Sequence, residues 1–496
     1  MNQIKKGAFL SYSTIVLSTF VGLLLTPIII SSLGDSEYGL YSLIGSLVGY
    51  LSVLDFGLNN TVVRFVSKYR AEKNLKEEQN FLALTLRIYL VLSFLIVAVG
   101  SIIYANLDVI FSKSFTVEEL GTAKVMFAIL LFNLGITLPG GVLTAICSGY
   151  EQFVFPRAVN IIRYILRSLA VVALLFFDGD AIGIILVDTA FNLLVIIVTG
   201  VYVFGVLKVK LRLHIFSLAK IKGILSFSVW VFLYAIVHQF QWNAGQVVVG
   251  MNMNTENVAI FAIGTMLSGF YAAFGGVLNS VLIPKANQLV VSKQNGLSLT
   301  NSMIKYARIN AIIMMFILGG FFLFGKEFIY LWVGESYELS YYIGLVIMVS
   351  LTILIIQGFG NLILEANKKN RFKSLLSIST VSISVIVGYY MSHTYGILGV
   401  AIPLSMAILL NGIVMNFYFK KIFDFQLVTF LKGGFIPLIL LQLVLVGVSY
   451  WLKYQLQLDS WYLLILGIAV YCVLYALVAY LFMNKSEKNI ILNRSL

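Results

Sequence analysis

Between its lysines and arginines the chain carries about fourteen apolar stretches, each long enough to cross a bilayer. A membrane span needs about 20 mostly apolar residues. With 60% hydrophobic and 11% charged residues, the composition leaves room for little else. The spans read as 8–30, 39–63, 82–104, 122–147, 158–177, 182–205, 223–248, 258–283, 306–325, 339–363, 375–393, 398–419, 433–452 and 461–483. The fold class that follows is an all-α polytopic membrane protein of about 14 transmembrane helices.

Charge orients the spans. Sorted by connector, 27 of the 34 lysines and arginines fall on one side and only Lys113, Lys124, Lys326 and Lys453 on the other. Arg87, Arg163 and Arg167 lie inside spans. The positive-inside rule then predicts that both termini are cytoplasmic, and the lopsided split implies an even number of spans. The net charge of +13 needs no nucleic acid to explain it, because basic connectors sit where anionic headgroups attract them.

Lys5 and Lys6 precede an apolar run longer than a signal-peptide core, so this run is expected to be the first span and not a cleaved leader. Cys147 and Cys472 fall inside spans four and fourteen and suggest neither a disulfide framework nor a metal site. The phosphate-loop pattern G-x-x-x-x-G-K-[S/T] is absent. The longest connectors, around 64–81 and 284–305, run to about twenty residues, and the largest outward loop is 105–121. No connector is long enough for a soluble catalytic domain, so neither an enzyme nor a cofactor is expected.

Shifted by 220 residues, the chain partly overlays itself: Gly49 meets Gly269, Asn59 meets Asn279, and Gly140 meets Gly360. Six spans separate the copies, so both face the same way, as in transporters built from parallel repeats. The expected organisation is a six-helix half over 1–222, a second over 223–430, and an appended helix pair with a tail over 431–496. The two halves would enclose a central cavity.

Polar residues recur at helical spacing in the first two spans of each half. Span two carries Gly45, Gly49, Ser52, Asp55 and Asn59; span eight carries Ser268, Tyr271, Gly275 and Asn279; span one carries Ser11, Thr14, Ser18, Gly22 and Thr26. Span seven adds His238, Gln241, Trp242 and Gly245. Small residues also let helices approach closely, but Asn, Gln, His and Asp in hydrocarbon are costly without partners. These stripes are read as the lining of a wet path. Asp55 and Asp188 are the two carboxylates clearly within spans, each a candidate for ion coupling or for a structural partnership. His238 is suited to titration near neutral pH or to a plain hydrogen bond. Arg163 and Arg167, one turn apart in span five, should pair with Asp188 or another acid, or meet a pyrophosphate, whose geometry the guanidinium fork suits. Arg64, Lys285 and Arg308, near the basic end, are candidates for a first landing of such an anion.

Leu33-Gly34-Asp35-Ser36-Glu37-Tyr38-Gly39-Leu40-Tyr41, followed by Leu54-Asp55-Phe56-Gly57-Leu58 and Arg64-Phe65-Val66, resembles the opening of polysaccharide-repeat-unit flippases of the multidrug/oligosaccharidyl-lipid/polysaccharide (MOP) exporter superfamily. Gly149-Tyr150-Glu151-Gln152-Phe153 is similar to another common segment of that family. The resemblance implies a bacterial inner-membrane protein that turns an undecaprenyl-pyrophosphate-linked oligosaccharide from the cytoplasmic to the outer leaflet by alternating access. Net directionality is left open between a proton or sodium gradient and removal of the product by a polysaccharide polymerase and chain-length machinery. Peptidoglycan-precursor flippases of the superfamily carry a charge in span one, where this chain has hydroxyls. Drug-exporting relatives usually have twelve spans and acids in the cavity. A cation-coupled exporter of small amphiphiles is the second transporter reading. A membrane polymerase or ligase would need a large outward loop with catalytic groups, and a scaffold for glycan synthesis is the remaining alternative.

Overall fold

Helices account for every regular element among the described residues of the computed structural model, which are 3–52, 58–214, 236–292, 296–367, 369–454, 460–484 and 488. The first unit holds α1 (Gln3–Ser52), α2 (Leu58–Ala71), α3 (Leu75–Phe111), α4 (Val117–Gly149), α5 (Val154–Phe176), α6 (Ala181–Val201) and α7 (236–252). There follow α8 (Thr255–Val281), α9 (Ile283–Val291), α10 (Gly296–Val333), α11 (Glu338–Ile356), α12 (Gly358–Ala366) and α13 (Arg371–Phe423). The chain closes with α14 (Leu427–Phe430), α15 (Ile436–Tyr454) and α16 (Trp461–Phe482).

Eleven helices among the described residues are long and apolar enough to cross a membrane. Two are double-length. At 1.5 Å per residue the 50 residues of α1 and the 53 of α13 would run roughly 75–80 Å, against a hydrocarbon core of about 30 Å. Neither is continuous. α1 breaks at Gly34 (φ 78°, ψ 167°) and α13 at Gly396 (φ 59°, ψ −144°), conformations that side chains strongly disfavour. Each therefore carries two predicted spans. The seventh predicted span is described only from 236 onward, as α7, so fourteen remains the expectation for the whole chain.

Four segments differ from the sequence reading. Predicted span ten splits at Gln357 into α11 and α12. Helix α3 starts at Leu75 and α4 at Val117, so the connectors expected at 64–81 and 105–121 are mostly helix. Hydropathy marks where a helix enters lipid and is blind to turns that continue into water. The fourth is at 284–305, which holds all but the first residue of α9 and the first turns of α10.

Contacts divide the chain into two compact units, Met1–Ala259 and Ile260–Leu496. In the first unit α4 is central, packed on α1, α2, α3 and α6, while α5 lies on α1 and α6. In the second, α11 is central, packed on α10 and α13, and α15 and α16 pack on α10. The appended pair thus belongs to the second unit. Gln442 and Tyr471 donate to the carbonyls of Met315 and Phe316, and Tyr475 to that of Ile312. With water absent, donation into an already bonded helix carbonyl is how such polar side chains are satisfied.

No atom lies near the position of a Cβ on Gly34, so its φ/ψ is the only obstacle to a side chain there. We expect Gly34→Ala to lower stability by about 1–3 kcal/mol. Gly45→Ala, in open space within the same helix, should be neutral or slightly stabilising. Thermal unfolding in detergent micelles checks both.

Candidate functional site

A polar seam within the first unit runs between the second arm of α1 and α7. Gly39, Ser42, Ser46 and Gly49 follow helical spacing on α1. Opposite them, Gln246 is 6% exposed: its Nε2 donates to Ser42 Oγ at 2.7 Å and its Oε1 accepts from Ser46 Oγ. A Cβ on Gly49 would strike Gln239, and one on Gly250 would strike Leu43. At the far end a Cβ on Gly39 would overlap the Thr255 carbonyl, so only glycine permits this backbone approach.

That end of the seam is tied by a carboxylate. Thr116 and Glu119 form a capping box at the start of α4, with Thr116 N donating to Glu119 Oε2 at 2.8 Å. The other oxygen, Oε1, accepts from Ser36 Oγ and Thr255 Oγ1, both at 2.7 Å. Ser36 and Thr255 are themselves 2.8 Å apart. Ser114 Oγ adds a bond to the Met251 carbonyl at 2.8 Å. The sequence reading missed this cluster, although Thr116-x-x-Glu119 before an apolar run is a legible capping-box signature.

On α5 and α6, Arg167 and Asp188 form a two-point ion pair, Nε to Oδ1 at 2.5 Å and an Nη to Oδ2 at 3.0 Å. Both side chains are about four-fifths buried, at 19% and 25% exposure, and Tyr41 of α1 lies beside the guanidinium. Arg163 is half-buried, with its guanidinium 5.6 Å from the Tyr164 ring and no carboxylate partner among the described residues.

The asparagines 220 residues apart occupy matching surroundings. Asn59 on α2 accepts from the Tyr89 hydroxyl of α3 at 3.1 Å and lies against Gly141 of α4. Asn279 on α8 accepts from Asn310 of α10 at 3.0 Å and lies against Gly358 of α12. Gly140 and Gly360 also match: one meets Ile196 of α6, the other Phe419 of α13. Each asparagine thus accepts from a side chain of one helix and lies against a glycine of another.

Two other candidates, Tyr271 and Arg308, are buried with polar partners. Tyr271 is 2% exposed, its hydroxyl 2.5 Å from Thr352 Oγ1 and 3.2 Å from the Met314 carbonyl. Arg308, 8% exposed, donates to the carbonyls of Gly433 and Phe482 at 3.2 Å each, which clasps α10 to the appended pair. Arg64 and Lys285 are exposed on α2 and α9. On α7, His238 is exposed near the Trp242 ring, while Gln241 and Trp242 are half-buried. Asp55 lies outside the described residues. No group of His, Cys, Asp or Glu among the described residues is placed to hold a metal.

A buried carboxylate lies at the basic end of the first unit. Glu78, 2% exposed, accepts from the Tyr150 hydroxyl at 2.5 Å, and the Arg70 guanidinium stacks 3.6 Å from the Tyr150 ring. Burial, reinforced by Glu78, pushes the Tyr150 hydroxyl up to about 12, so it remains a donor at any physiological pH. This joins the α2–α3 turn to the Gly149–Phe153 segment.

Solved structures share this architecture at low identity. The inward closed conformation of the lipid II flippase MurJ matches with a TM-score of 0.75 at 16% identity, over 96% of this chain and 98% of that one. An inward-facing multidrug resistance MATE family transporter of the MOP superfamily gives 0.68 at 16% identity, over 84% and 98%. A Shigella flexneri protein named "Putative O-antigen transporter" is 21% identical over 399 residues, 78% of this chain and 91% of that protein. The Bacillus subtilis "Uncharacterized membrane protein EpsK" is 22% identical, covering 97% of this chain and 95% of that one. The fold is that of the MOP transporters. Residues 4–290, more than half of the chain, match the family described as polysaccharide biosynthesis protein, and the chain belongs to that family.

Proposed function

We propose that the chain flips an undecaprenyl-pyrophosphate-linked oligosaccharide from the cytoplasmic to the outer leaflet of a bacterial cytoplasmic membrane, by alternating access between halves 1–222 and 223–430. The observation that carries this reading is membership of the polysaccharide biosynthesis family by a chain whose described residues are almost wholly membrane-length helices. The basic end is cytoplasmic, with both termini there, and the end bearing Lys113 and Lys124 faces outward. A sugar headgroup is rich in hydroxyls, and hydrocarbon would strip its hydrogen bonds at prohibitive cost. Hydroxyl and amide side chains replace those bonds during passage. A polymerase and chain-length machinery outside would consume the product.

The peptidoglycan precursor is the second substrate reading, favoured by the fold match to MurJ. The uncharged first span speaks against it. Arg167 and Asp188 offer two roles within the main reading. Protonation of Asp188 would free Arg167, coupling transport to a proton gradient, and a pyrophosphate would compete with Asp188 for the same guanidinium.

Two experiments follow. In liposomes carrying the lipid-linked oligosaccharide, we expect the protein to expose the glycan to an impermeant glycosidase on the opposite leaflet, with Asp188→Asn losing dependence on an imposed proton gradient. Translocation of the peptidoglycan precursor alone, or dye efflux without glycan movement, overturns the reading. For the ion pair, Arg167→Ala and Asp188→Ala should each destabilise by about 3 kcal/mol and the double variant by less than their sum, because each single change strands a buried charge. Additive losses in detergent unfolding would contradict a coupled pair.

A further inference from the structure

We infer that Glu119 is a positioning residue of the transport cycle, a latch that holds the outward end of the α1–α7 seam shut and releases when the cargo leaves. The inference rests on the flippase reading and its orientation. Glu119 belongs to neither helix of the seam. It reaches in from the first turn of α4 and accepts one hydroxyl from each side, Ser36 on α1 and Thr255 at the start of α8.

Three features make this a latch and not a permanent clasp. The seam beneath it is built of small residues and neutral hydrogen bonds, which water can replace when the helices part. Bonds to a carboxylate are roughly twice as strong as neutral ones, so the carboxylate dominates the closed end. Glu119 is also held independently of the seam, because its second oxygen stays in the Thr116 capping box and the α4 N-terminus favours its charge. On opening, the carboxylate stays in place, half-exposed and ready to accept water. The Asn59 and Asn279 clasps, by contrast, lie within one half of the repeat and need not open.

The test uses the full-length protein with Cys147→Ala and Cys472→Ala. Ser36→Cys/Thr255→Cys should form an intramolecular disulfide on oxidation, since the native hydroxyls are 2.8 Å apart. Glycan flipping by the linked protein should fall by about tenfold or more, as expected when one state of a two-state cycle is removed, and recover on reduction. Failure to form the disulfide, or unchanged flipping by the linked protein, overturns the inference. A second readout does not depend on the cargo. Spin labels at Val117→Cys and Glu256→Cys, both exposed, report the opening. Ser36→Ala/Thr255→Val, which leaves the capping box intact, should raise the long-distance population about tenfold or more. An unchanged distance distribution overturns the latch. If the reduced protein flips no glycan while the labels respond as expected, the substrate reading fails and the latch stands.

Discussion

In hydrocarbon no water waits to receive a hydrogen bond, and this one constraint shapes most of the structure. It makes the chain helical. It sends hydroxyls back to their own helix, as Thr26 does to the Gly22 carbonyl and Thr265 to the Phe261 carbonyl. It turns α10 into an acceptor surface for the appended pair, whose Gln442, Tyr471 and Tyr475 all donate into its carbonyls. Glycine has a distinct part in this arrangement. Gly319 lies against Gln442, and Gly39 against the Thr255 carbonyl, so the missing side chains are what bring donors and acceptors into reach.

The same constraint produces two kinds of polar contact. Clasps such as Arg308 with Gly433 and Phe482, or Tyr271 with Thr352, join helices of one unit. The α1–α7 seam, also within one unit, is of the other kind, built of small residues and neutral hydrogen bonds. Its contacts are amide to hydroxyl, with a charged acceptor only at the Glu119 end. A transporter needs both kinds, one to keep each half rigid and one to separate at low cost.

The all-helical membrane fold was legible because hydropathy reports a physical necessity: apolar stretches of membrane length must satisfy their backbone internally. The equivalence of Asn59 and Asn279 was visible in the sequence, and the structure gives it content: each meets a polar partner and a glycine of a third helix. Of the partners open to Arg167, Asp188 is the one the structure places against it. The site was harder to read. A polar residue in a span needs a partner whether it lines a path or clasps a neighbour, so Tyr271 and Arg308 fitted both descriptions. Helical spacing identified a polar face on α7, yet Gln246, on a neighbouring face, makes the bonds to α1. Periodicity fixes which residues share a face and says nothing of which helix meets it.

The central claim is that this chain moves a lipid-linked glycan outward, and the most direct measurement is the lipid-linked oligosaccharide pool in cells depleted of the protein. If so, the undecaprenyl-pyrophosphate-linked repeat unit should accumulate and remain inaccessible from outside, with the peptidoglycan precursor unchanged. An unchanged oligosaccharide pool, or accumulation of the peptidoglycan precursor in its place, would contradict it.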